Sequence, residues 1–278
     1  MPLSDFRLKR FAAVLGAATL FALGPSSRVL AAPAQAAIAE AATADHVVEP
    51  ATAPSFGAMF REVPRDLWRF ISLDTAIVLA AGGGAAALAH VWDDDLVTEL
   101  EVNPSLNNAF EPGSKYGAFA VMVGGSFAVY GVGRVSGHPH MAVVGADLVR
   151  GQIVSQLWAQ ALKYTVQRER PDQSNSASFP SGHAAGGFAA ASVLSRHYGW
   201  KAAIPAYIGA TYIAASRVHD NKHYLSDVTF GAAMGIAGSR TVLLKAGRYD
   251  VPLALAPAPG GGVALNATLR RRGHQPAD

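Results

Sequence analysis

Ser216-Arg217-Val218-His219-Asp220-Asn221-Lys222-His223-Tyr224-Leu225-Ser226-Asp227 is the stretch from which the rest of this 278-residue chain is read. Arg217 offers a guanidinium able to grip two oxygens of a phosphate. His223 and Asp227 are four residues apart, and on a helix that spacing puts both on one face about a turn apart. Asp227 is then placed to hold the imidazole in one tautomer and orientation. A His and an Asp at this spacing also occur as a surface pair or a helix cap, so their meaning depends on what stands upstream.

Two upstream groups supply that context. Lys163 and, after six residues, Arg170-Pro171 follow a long helical pattern from Met141 to Val166. Pro180-Ser181-Gly182-His183 stands directly before a helical segment that starts near Ala184. Lys163, Arg170 and Arg217 supply positive charge, and Ser181 and Gly182 lie where free backbone N–H groups and the helix dipole favour an anion. Phosphoryl transfer requires such charge neutralisation and positioning above all. The two histidines then divide the work: His223, backed by Asp227, attacks phosphorus, and His183 protonates the leaving oxygen and later helps water attack the intermediate. That scheme requires no metal.

Lys-six residues-Arg-Pro, then Pro-Ser-Gly-His, then Ser-Arg-five residues-His-three residues-Asp resembles the signature of a superfamily. It comprises type 2 phosphatidic acid phosphatases, bacterial non-specific acid phosphatases and vanadium-dependent haloperoxidases. Every signature position is met, by Lys163, Arg170, Pro171, Pro180, Ser181, Gly182, His183, Ser216, Arg217, His223 and Asp227. The resemblance implies an all-α helical bundle with the site at one end. It also implies a phosphate held by Lys163, Arg170, Ser181, Gly182 and Arg217, with His223 as nucleophile and His183 as general acid. The expected activity is metal-independent, cofactor-free hydrolysis of phosphomonoesters or pyrophosphates, lipid phosphates among them, through a phosphohistidine. Two alternatives stand beside it. One is a haloperoxidase-like enzyme in which the same pocket holds vanadate and His223 ligates the metal. The other is a non-catalytic anion-binding envelope protein.

Composition narrows the setting. Half of the residues are hydrophobic and 15% charged, against about 25% charged in an average soluble domain. The absence of cysteine excludes disulfides, thiolate chemistry and Cys-ligated zinc. Residues 1–36 read as a signal peptide, with Arg7, Lys9 and Arg10 ahead of the apolar run Phe11–Leu23 and small residues after it. Cleavage after Ala36 removes Arg7, Lys9, Arg10, Arg28 and Asp5, which leaves basic and acidic residues balanced, so a nucleic-acid role loses its support. Residues 37–56 read as a flexible lead-in, 57–246 as the helical domain and 247–278 as a short hairpin and polar tail. Residues 103–115 read as a loop, Asp93-Asp94-Asp95 as an acidic turn or helix start, and His138-Pro139-His140 as a loop with no metal role.

Membrane contact is the second question. Tyr116–Gly133 is eighteen residues without a charge, the best span candidate of the mature chain. Asp147, Arg150, Gln152, Gln156 and Gln160 interrupt the helix over 141–166, which argues against lipid on all its sides. Arg61, Arg65 and Arg69 suit a six-span, positive-inside layout, but that layout needs residue 60 in the cytoplasm, whereas a working signal peptide exports it. The sequence thus favours a soluble or peripheral protein in the periplasm of a bacterial envelope; the alternative is an integral inner-membrane protein with its site facing the periplasm. The chain carries no sign of its oligomeric state.

Overall fold

The structure, a computed structural model, describes residues 53–101, residues 106–243 and four short strand segments beyond them. The signal-peptide segment 1–36, most of the lead-in and the tail after Arg271 lie outside the described residues. Ten α-helices are described: α1 (Phe56–Arg61), α2 (Val63–Arg69), α3 (Leu73–Ala89), α4 (Asp93–Glu101), α5 (Asn107–Tyr116), α6 (Phe119–Val135), α7 (Pro139–Val166), α8 (Gly182–Tyr198), α9 (Trp200–His219) and α10 (Leu225–Leu243). A 3₁₀ turn, His90–Trp92, joins α3 to α4. The architecture is the all-α bundle that the sequence implies.

Helix boundaries follow local chemistry. Ser72 caps α3 by accepting from the Thr75 N–H, and Ser181 caps α8 by accepting from Ala184. Pro139 opens α7 at a position where its missing N–H costs nothing, so His138-Pro139-His140 is a helix start. Gln167, at φ 49°, ends α7 in the left-handed conformation that stops a helix. Pro205 falls inside α9, at the cost of one backbone bond near the helix start.

The bundle closes around α8, which packs against α7, α9 and α10. Its first turns, residues 184–189, are buried on every side, and Ala184, Ala185, Gly186, Gly187 and Ala189 are small enough to let neighbours come close. A Cβ on Gly235 of α10 would stand 2.2 Å from the Ala185 carbonyl oxygen, and one on Gly231 would stand 2.5 Å from that of Ser181. The α8–α10 crossing therefore has no room for a side chain at either position, and it brings the starts of these two helices together. Because successive helices alternate in direction, the ends of α7 and α9 meet the starts of α8 and α10. All the signature residues gather at that end.

Polar residues of α7 point inward. Arg150 donates to Asp66 of α2 through Nε (2.7 Å) and through a second, shorter bond, and through Nη1 to Asp147 (3.3 Å); Asp147 in turn contacts His197 of α8 at 2.9 Å. Gln152 donates to the Gly186 carbonyl at 2.9 Å. These groups cross-link α2, α7 and α8 inside the bundle. As the sequence suggests, α7 is a packed helix without lipid on all its sides; these groups face the bundle interior and say nothing of its outer face.

The segment 103–115 departs from its loop reading, since α5 occupies most of it despite Pro112. Tertiary contacts override composition here: Phe110 stacks on Tyr212 and His219, and the Tyr212 hydroxyl donates to the Ala109 carbonyl. Beyond α10, Leu253–Pro257 pairs antiparallel with Val263–Ala267, and Tyr249–Asp250 with Arg270–Arg271.

Among the described residues, Leu73–Thr98 is long and apolar enough to cross a membrane, with 26 residues, a mean hydropathy of 1.5 and 28% of its span window buried. α5 and α6 pass the same test only as a pair bent by 58°. Large apolar side chains stand exposed on the outer faces, Trp68, Ile71, Leu73, Ile77, Leu88 and Val91 among them.

Candidate active site

His223 lies in the short turn between α9 and α10. Its N–H and that of Lys222 both donate to the Arg217 carbonyl, at 3.2 and 3.1 Å, so the turn folds back on the end of α9. Asn221 takes a left-handed φ of 53° to make that reversal. The Asp172 N–H donates to the Asn221 carbonyl at 3.1 Å, and Lys222 pairs with the Asp172 carboxylate, which binds the turn to the α7–α8 loop.

Asp227 meets His223 in a different way from the one that spacing suggests. α10 begins at Leu225, so His223 is outside the helix and the pair does not share a helical face. The folded-back turn brings Nδ1 of His223 to 3.7 Å from Oδ2 of Asp227, too long for a hydrogen bond. Nδ1 is buried and has no hydrogen-bond partner. Asp227 is itself fully buried: Oδ1 accepts from Arg168 at 2.7 Å, and Oδ2 accepts from the Ser178 hydroxyl and from the Tyr224 N–H at 2.9 Å. Burial alone would raise the carboxyl, but these bonds hold it below the usual range.

The cations come from three elements. Lys163, on the last turn of α7, donates to the Ala177 and Ser178 carbonyls. Burial and the neighbouring Arg170 guanidinium push it down to about 8, against the pull of Asp227. Arg170 sits in the α7–α8 loop with a buried Nε that has no partner, and Arg217, near the end of α9, has an orphaned buried Nε as well. One face of Arg217 is engaged, its Nη1 donating to Ser114 at 2.7 Å and to Asp220 at 3.0 Å.

Ser181 and Gly182 form the start of α8, where Ser181 is buried and its N–H donates to the Asp227 carbonyl at 3.0 Å. His183 follows on the first turn, with Nε2 3.2 Å from the Ser114 carbonyl. Burial, then the Arg217 guanidinium, pushes His183 down to about 4. His223 is also pushed down to about 4, mainly by burial, although Asp227 works upward. His183 and His223 each shift with Arg217, and His183 shifts with His223, so all these groups share one electrostatic site. Every signature residue read from the sequence is thus brought to one end of the bundle.

Two charged residues at the site escaped the sequence reading. Arg168 lies inside the gap between Lys163 and Arg170, and its only sequence signal is a cation in that gap. Asp93, the first of the three aspartates, is 1% exposed and bonded to Arg168 at 2.9 Å, so the solvated-turn reading holds for the helix start but not for this side chain. Ser114, from the segment read as a loop, touches both Arg217 and His183.

Comparison with known proteins gives these residues a context. Residues 143–248 match the PAP2 superfamily. A lipid A 1-phosphatase of Porphyromonas gingivalis is 40% identical over 77 residues, which is 27% of this chain and 17% of that protein. A lipid A 4'-phosphatase of Helicobacter pylori is 37% identical over 83 residues, 29% of this chain and 42% of that protein. The matched stretches therefore span less than half the length of either curated relative. A transmembrane PAP2-type phosphatidylglycerolphosphate phosphatase from Bacillus subtilis aligns over 68% of this chain and 94% of its own, with 20% identity and a TM-score of 0.38. The match to the PAP2 superfamily over residues 143–248 takes in every signature residue from Lys163 to Asp227.

Proposed function

We propose that the protein is a phosphatase that removes a phosphate from a phosphorylated lipid through a phosphohistidine on His223. The observation that carries this reading is the cluster of Lys163, Arg170 and Arg217 around His183 and His223, with the buried Nε of Arg170 and of Arg217 unpartnered. Buried donors left unpaired cost about 1–3 kcal/mol each, and a phosphate oxygen would satisfy them. Similarity to lipid A phosphatases supports a lipid phosphate. So do the apolar side chains at the site end: Tyr164 and Val166 flank Lys163, and Tyr116 and Phe119 flank the Gly117 that abuts His183, all four exposed.

Nδ1 of His223 faces Asp227, which leaves Nε2 as the attacking atom. His223 is neutral at physiological pH and therefore nucleophilic. Burial and, after it, the Arg217 guanidinium hold His183 low; a bound phosphate dianion offsets the guanidinium and favours the protonated imidazole that the leaving group needs. Nε2–phosphorus bond formation accompanies cleavage of the ester P–O bond, with the His183 proton passing to the leaving oxygen. His183 then takes a proton from water, and the water oxygen displaces His223.

The exposed apolar faces support a membrane-associated location. The test is phosphate release from a phosphorylated lipid and from an aryl phosphate, with a chelator present. Chelator-resistant release by the wild type and none by His223→Ala is expected; full activity in His223→Ala contradicts the proposal.

A further inference from the structure

We propose that Arg168 and Asp93 are positioning residues for the nucleophile, holding Asp227 in place behind His223; this rests on the phosphatase reading above. Arg168 Nη1 donates to Asp227 Oδ1 and to the Ser226 hydroxyl, each at 2.7 Å, and Nη2 donates to Asp93 Oδ2 at 2.9 Å. Its guanidinium lies 4.0 Å from the centre of the Tyr224 ring. Asp93 fastens the start of α10, accepting from the Ser226 N–H at 2.9 Å and from its hydroxyl at 2.6 Å. The chain of contacts thus runs from the α3–α4 junction through Arg168 to the carboxylate beside the nucleophile.

Both oxygens of Asp227 are consequently fixed, one by Arg168 and the other by Ser178 and Tyr224. Two effects follow. The carboxylate cannot rotate, so its distance to His223 is set by groups other than His223. Its charge is also offset by Arg168; an unaccompanied Asp227 would draw a proton onto His223 and block attack. The groups facing His223 are Asp227 from α10, Lys163 from α7, Arg217 from α9 and His183 from α8. Those facing Arg168 are Asp93, Asp227, Tyr224 and His90, whose Nδ1 lies 2.7 Å from Asp93. Among the described residues, Arg168 is the cation that bridges the two carboxylates, Asp93 and Asp227.

The full chain bearing Arg168→Gln tests this, with aryl phosphate hydrolysis across pH and an NMR titration of the histidines, His223 being assigned by its loss in His223→Asn. Arg168→Gln should lower kcat about tenfold with KM nearly unchanged, as outer-layer substitutions do. It should also raise the midpoint of His223 by about one pH unit or more, as loss of a nearby cation does. Arg168→Lys, which keeps the charge but cannot bridge both carboxylates, should return the midpoint to that of the wild type while kcat stays low. An unchanged His223 midpoint in Arg168→Gln overturns the proposal. Should Arg168→Gln not fold, Arg168→Lys and Asp93→Asn decide by kcat, and wild-type kcat in both overturns it. A wild type without phosphatase activity sinks the functional reading, whereas the NMR midpoints still report whether Arg168 controls His223.

Discussion

Lys163→Arg isolates one cation of the proposed phosphate clamp. Lys163 is held down to about 8 by burial and by Arg170, whereas an arginine stays charged throughout the accessible range. At pH 9, one unit above that value, only about one-tenth of the wild-type molecules keep the charge, and at pH 10 about one-hundredth. If the charge is needed to bind phosphate, wild-type kcat/KM falls about tenfold per unit above pH 8. The Lys163→Arg variant has no such limb. Its absolute rate should drop, because Nζ of Lys163 fits between the Ala177 and Ser178 carbonyls and a guanidinium does not. The shape of the profile is what decides. The assay is kcat/KM for an aryl phosphate from pH 5 to 10 in both proteins; the substrate's own ionisation near pH 6 is common to both and cancels in the ratio. Equal basic limbs in the two proteins would refute the reasoning.

His183→Ala should cost about 10²–10⁴-fold on a substrate with a poor leaving group and much less on an aryl phosphate with an acidic one, since the proton is then not needed; equal losses on both would remove His183 from the general-acid role. Gly235→Ala puts a Cβ 2.2 Å from the Ala185 carbonyl oxygen. It should destabilise the fold by about 1–3 kcal/mol in a thermal or denaturant melt, the usual cost of overpacking, and an unchanged melt would contradict the close α8–α10 crossing. Stability of the ligand-free protein should fall as pH falls. An unfolded His223 takes its proton near 6.5 and the folded one only near 4, so the unfolded state binds more protons between those values. His223's share of the loss begins as pH drops below 6.5, reaches about 3 kcal/mol and levels off below 4, and His183, pushed down to about 4 as well, adds a share of similar size. His223→Asn should remove about half of that pH-dependent loss, leaving the part due to His183, and an unaltered slope would contradict the burial of a neutral His223.

The signature residues were legible because their spacing is a property of the chain itself, and a helix start or end brings each to the same end of the bundle. Arg168 and Asp93 were not, since their partners lie 59 and 75 residues away and only the fold joins them. The His223–Asp227 pairing was anticipated with the wrong geometry, because the helix begins two residues after His223 and the turn makes the contact. α5 was hidden by its Asn, Pro and Gly content, which the stacking of Phe110 on Tyr212 and His219 overrides. For α7 the periodic pattern gave the helix, but it could not show that Asp147, Arg150 and Gln152 face inward toward Asp66, His197 and α8.

The proposed mechanism rests on a covalent phosphoryl group on His223. Mixing the protein with a phosphorylated lipid in the presence of chelator, quenching with alkali within the first turnover and mapping the modified peptide by mass spectrometry tests that directly. A phosphoryl adduct on His223, absent from His223→Ala and more abundant in His183→Ala turning over an aryl phosphate, is the predicted result. Phosphate release at the normal rate with no adduct on His223 would contradict it.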